Sequence, residues 1–159
     1  MNDRDVTVEI LNELLQAQAA SLLPRLSEAT PFISWAEADE IALVRRLIAE
    51  ERAHQAELGA CIASAGGALT PVLGDITSAD VHYLALDFLL PRIIADKARL
   101  ARVYEAAASR LAPGTEPGQL VAQQLEAQRN HLAALKRFNR MSGSASATAG
   151  NDATTPAGS

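Results

Sequence analysis

Glu51 and His54 stand three positions apart in "EERAH", inside an otherwise apolar helical pattern. On a helix that spacing puts a carboxylate and an imidazole side by side on one face. The pair can ligate a metal ion or form a buried hydrogen bond. His131 lies in a second pattern of the same kind, with Gln128 three positions before it. Gln18 is the polar member of a third apolar stripe. Each of these five residues falls near the middle of its stripe, so they are expected to meet in one layer. Burying so many polar atoms is costly unless they bond to each other, to water or to a metal.

The elements that must position them follow from periodicity. Val8, Leu11, Leu15, Gln18, Leu22 and Leu26 repeat at three-and-four spacing and predict a helix over about residues 5–29. Asp5 is its expected cap and Pro24 its expected kink. Ser34 and Glu37 form a capping box for a second helix over about residues 35–65. Its stripe is Ile41, Val44, Ile48, Glu51, His54, Leu58 and Ile62, and Gly66 and Gly67 end it. A third helix, capped at Thr77 or Ser78, carries Leu86, Leu90, Ile93, Leu100 and Tyr104 to about residue 111, with a second kink expected at Pro91. Thr115 caps the fourth, with Pro117 in its first turn and a stripe of Val121, Leu125, Gln128, His131, Leu135 and Phe138.

Helices of about 25 to 34 residues are roughly 37 to 50 Å long. The dozen or so residues between the second and third can span about 40 Å. That connection is long enough to carry the chain back along the bundle and leave those two helices parallel; a plain up-down-up-down bundle with one slack loop is the alternative. The expected fold is all-α, a four-helix bundle with a long crossover between helices two and three, over residues 1–141. From Ser142 onward "SGSASATAGNDATTPAGS" has no apolar period and predicts a disordered tail, a linker or an address for a protein partner.

Composition agrees. The 159 residues suit one domain with a substantial core, and 48% hydrophobic residues with only 4% aromatics favour helix over sheet. A net charge of −5 argues against a nucleic-acid partner. One cysteine, Cys61, excludes an intrachain disulfide framework and falls on an apolar face. The first residues, "MNDRDVTVE", do not read as a signal peptide, and no run approaches the roughly 20 apolar residues that span a bilayer. A cytoplasmic chain that self-associates as a homodimer or larger homo-oligomer through an apolar helix face is the expectation.

Three stretches resemble the ferritin-like superfamily, the relatives of bacterioferritin and rubrerythrin: "ILNELLQAQ" (10–18), "EERAHQAELGACIASAGG" (50–67) and "QRNHLAAL" (128–135). The resemblance implies a di-metal site with one Glu from helix one, Glu-x-x-His from helix two, one Glu from helix three and Glu-x-x-His from helix four. Glu51, His54 and His131 match that pattern. Gln18 and Gln128 stand where two carboxylates would be. Helix three offers Arg92 or Ile93 at the corresponding place, with Asp96 a turn further on as a substitute. Two divalent ions against one carboxylate would leave about three units of charge in a low-dielectric core, so the usual di-iron centre is not expected. Inward-turned Glu13, Asp96 or Glu126 would repair the count, though the helical phase points Glu13 and Glu126 outward. Two readings stay open. In one, Glu51, His54 and His131 hold a single iron, zinc or manganese ion, with Gln18 and Gln128 as weak ligands. In the other, the layer is a metal-free network that fixes helix register in a scaffold or protein-interaction module. His82 beside Tyr83 reads as a surface histidine, and Asp87 and Asp96 as solvated groups paired with Arg92 or Lys97.

Overall fold

The computed structural model describes residues 2–26, 38–71 and 86–149. Among them are five helices and no strand: α1 (Asp3–Ala19), α2 (Leu22–Leu26), α3 (Ala38–Ser64), α4 (Leu86–Arg110) and α5 (Glu116–Ala149). The expected cap at Ser34 and Glu37, the cap at Thr77 or Ser78, and His82 with Tyr83 lie outside the described residues.

Asn2, one turn before Asp5, caps α1. Its side chain accepts from the Asp5 amide at 2.9 Å, and Asp5 answers as the acidic partner of a capping box. The expected kink at Pro24 is a break. A proline ring collides with the carbonyl four residues back, here that of Ala20, and α1 ends at that residue. Ser21 closes the corner by donating its hydroxyl to the Gln18 carbonyl at 2.6 Å. Asp96 on α4 accepts the free Leu22 amide at 2.8 Å and a 3.0 Å bond from Arg99. Asp96 therefore holds a helix start and an ion pair with Arg99, and its charge also acts on Lys97. Pro91 sits inside α4, which continues through it.

Gly66 and Gly67 end α3 as expected. The Gly66 amide bonds to Ala63 at 2.8 Å and the Gly67 amide to Ile62 at 2.9 Å, the paired reversal of a Schellman motif, with Gly66 at φ +70°. Thr115 caps α5, accepting from the Gly118 amide at 3.2 Å. α5 runs past Ser142 to Ala149, so the first part of the expected tail is helical. Residues 150–159 lie outside the description.

Cross-helix bonds set the directions. Arg4 near the start of α1 reaches the Ala65 carbonyl past the end of α3, whereas Gln18 near the end of α1 reaches Glu51. Glu13 meets Arg110, Gln18 meets Tyr104, and Leu22 meets Asp96. α1 is therefore antiparallel to both α3 and α4, and those two point the same way. Two apolar clusters fill the interior. One, around Ile10, Leu14, Leu58, Ile62, Leu100 and Val121, occupies one half of the bundle. The other, around Leu23, Leu47, Ile48, Leu90, Ile93 and Leu135, occupies the other half. The candidate site lies between them.

Candidate functional site

Glu51 is fully buried at the centre of the interface, on α3. Its Oε2 accepts from Gln18 Nε2 of α1 at 2.7 Å. Its Oε1 accepts from Gln128 Nε2 of α5 at 3.0 Å and faces His131 Nδ1, also on α5, at 3.3 Å. The same Oε1 takes a bond from the ammonium of Lys97 on α4. Lys97 is 1% exposed, and its Nζ also donates to Gln128 Oε1 at 2.7 Å and lies 3.5 Å from His131 Nδ1. All four long helices thus contribute one or more side chains to a single buried network.

Four of the five residues singled out from the sequence, Gln18, Glu51, Gln128 and His131, meet in it. His54 stands beside it. Its ring stacks on His131 with centroids 6.0 Å apart and planes 15° from parallel. Its Nδ1 is buried and has no hydrogen-bond partner among the described residues. Glu13 and Glu126 are exposed, as their phase indicated. Glu13 pairs instead with Arg110 at 2.8 Å.

Sequence reasoning missed Lys97, which it placed on the surface. The signal was present: positions 86, 90, 93, 97, 100 and 104 complete one helical stripe, with Lys97 filling the gap between Ile93 and Leu100. It also missed Gln124 and Glu50. Gln124, 1% exposed, donates to Glu57 at 2.9 Å and to the His54 carbonyl at 3.2 Å. With both amides turned toward anionic or carbonyl oxygens, Gln18 and Gln124 each present Oε1 to the Tyr104 hydroxyl at 2.9 Å. That hydroxyl has one proton to share between two acceptors. Glu50, at the rim, reaches His131 Nε2 at 2.5 Å. A neutral His131 ring has one proton to place: on Nδ1 it bonds Glu51, and on Nε2 it bonds Glu50 and leaves Nδ1 to accept from Lys97.

The electrostatics follow from this packing. Burial alone would raise the Glu51 carboxyl. The His131 hydrogen bond, the Lys97 charge and hydrogen bond, and the Gln18 amide outweigh it and hold the group at about 2, against 4.5 ordinarily. Burial lowers the Lys97 ammonium, while the Glu51 charge pulls it back up. Burial also lowers His54 and raises the Tyr104 phenol far above its usual range. One carboxylate and one ammonium leave the deep layer with no net charge.

A metal ion, which the ferritin-like resemblance implies, does not fit this arrangement. Glu51 Oε1, Gln128 Oε1 and His131 Nδ1 converge on the Lys97 nitrogen, so the ammonium already engages the donor atoms that an ion would need. An added divalent cation would lie against a buried positive charge. Among the described residues no group of three or more His, Cys, Asp or Glu side chains is disposed to hold a metal. No helix there is long and apolar enough to cross a membrane. No family model, curated protein or solved structure matches the chain.

Proposed function

We propose that this chain is a ferritin-like four-helix bundle that works without a metal, as a helical scaffold or protein-interaction module. The parallel course of α3 and α4 supports the ferritin-like reading, since a chain that crosses over between its second and third long helices requires it. The single observation that carries the metal-free reading is the Lys97 ammonium on Glu51. The carboxylate that would anchor an ion is already neutralised from within. In this reading the polar layer acts on structure: each bond in it joins two particular helices at one depth, which fixes their register.

Metal content after expression with iron, zinc and manganese tests this. The expected stoichiometry is below about 0.1 ion per chain in each case, because binding would require expelling a paired, buried ammonium. A competing reading, one divalent ion held by Glu51, His54 and His131, is favoured by the unpartnered Nδ1 of His54. About one ion per chain, lost on His54→Ala and on His131→Ala, would establish that reading and remove ours.

A further inference from the structure

We propose that Lys97 is the resident cation of this layer, and that this one side chain, not a lack of ligands, keeps divalent metal out. The inference rests on the metal-free reading above and deepens it by naming the excluding residue.

The argument is geometric. Three donor atoms from two helices, Glu51 Oε1, Gln128 Oε1 and His131 Nδ1, face one point, and the ammonium nitrogen occupies it. A carboxylate oxygen, an amide oxygen and an imidazole nitrogen form a mixed oxygen and nitrogen set suited to zinc, cobalt or iron. Coordination bonds of about 2.0 to 2.2 Å are shorter than the hydrogen bonds now made to Gln128 and His131, so a small inward movement of those side chains would close the shell. Support for the donors is already built. Gln18 holds the other oxygen of Glu51, and Glu50 holds the far nitrogen of His131, as outer partners do around metal ligands. The half-buried His54 ring, stacked on His131, brings a further unpartnered nitrogen to the edge of the layer.

Charge decides which occupant wins. Glu51 with the ammonium sums to zero. Lys97→Met leaves Glu51 alone, and a divalent ion then brings the layer to one positive unit. Lys97→Glu supplies a second carboxylate, and a divalent ion brings the layer back to zero. Metal affinity should therefore rank Lys97→Glu above Lys97→Met, with the unaltered chain last.

The test titrates Co(II) into the full chain and both variants, reading the visible ligand-field bands, metal per chain after desalting, and the thermal midpoint. The unaltered chain should show no bands and no shift. Lys97→Glu should melt low when metal-free, because two carboxylates face each other. It should recover by about 10 °C or more with one equivalent of Co(II). Lys97→Met should bind at least about tenfold more weakly than Lys97→Glu, the least expected of one uncompensated charge. Adding His131→Ala to either should abolish the bands. If Lys97→Met binds no Co(II), even where Lys97→Glu does, a missing ligand and not the ammonium keeps metal out, and the proposal is overturned; it is overturned equally if neither variant folds even with metal present. Metal bound by the unaltered chain would instead defeat the metal-free reading itself, so the two failures are distinguishable.

Discussion

Glu51 takes four side-chain contacts from three other helices, so its loss should be felt well beyond one hydrogen bond. Glu51→Gln removes the charge and leaves the Lys97 ammonium buried without an anion, a change that costs about 3 to 5 kcal/mol. Removing the pair together is a different matter. The double variant Glu51→Gln, Lys97→Met should regain most of that loss, since an apolar side chain replaces an ion whose desolvation is itself expensive. Urea midpoints of the two single variants and the double variant measure this. Equal destabilisation of the double variant and the worse single one would show that the pair is not the unit supposed here. The same carboxyl gives a pH signature. Its value is about 2 in the folded chain against 4.5 ordinarily, so the unfolded chain takes up the proton first as pH falls. The stability it contributes, on the order of 3 kcal/mol, is fully present above pH 4.5 and is lost as pH falls toward 2. The double variant should lack that part of the acid limb. Parallel stability curves for the two proteins between pH 2 and 5 would contradict the assignment.

At the scale of elements, the end of α3 and the start of α1 are joined by specific groups. The Asn12 amide donates to the Val8 and Ala68 carbonyls at 3.1 Å each, and its oxygen accepts from the Thr70 amide at 2.9 Å. Asn12→Ala should cost about 1 to 3 kcal/mol, because it removes the two bonds that tie Ala68 and Thr70 to α1, each worth about 0.5 to 1.5 kcal/mol net. Gly67 packs directly on Val8, where an added Cβ would lie 2.5 Å from a valine methyl. Valine has little rotamer freedom to yield, so Gly67→Ala should cost a similar 1 to 3 kcal/mol. Amide exchange at 65–70 reports both. Unchanged protection there in either variant would mean that the segment is held by something else. Much at this scale was legible in the sequence. The glycine stop after α3, the Thr115 cap and the helical stripes follow from residue type and spacing. The start of α1 was read three residues late because Asn2 and Asp5 are both good capping residues. The break at Ala20 was read as a kink at Pro24, since the proline is visible in the sequence while the carbonyl it disturbs lies four residues earlier.

Across the whole molecule, the polar layer parts the core into two apolar halves. Leu58 belongs to one and Leu47 to the other, and neither is exposed at all. Leu58→Ala and Leu47→Ala should each cost about 2 to 5 kcal/mol, with the spread set by how far each half can collapse. Because the two sites share no apolar cluster, the effects should add to within about 0.5 kcal/mol. A larger coupling energy in the double-mutant cycle would show that the halves communicate through the layer. The described surface has two exposed large hydrophobics, Leu69 and Met141. The helix directions place them at opposite ends of the bundle, so they form no shared patch.

What the sequence by itself determined was local and periodic: helices of bundle length, apolar faces, and polar residues at matching depth with a single dependable carboxylate among them. Periodicity is a property of neighbouring residues and survives without a tertiary structure. The partner of a buried charge does not. Lys97 lies 46 positions from Glu51, and a lysine at a stripe position is as readily drawn to water as inward until the opposite helix presents an anion. Only the bundle, which sets α3 and α4 parallel across the core with α1 and α5 packed on both, brought the two together, and with that decided which cation balances the core.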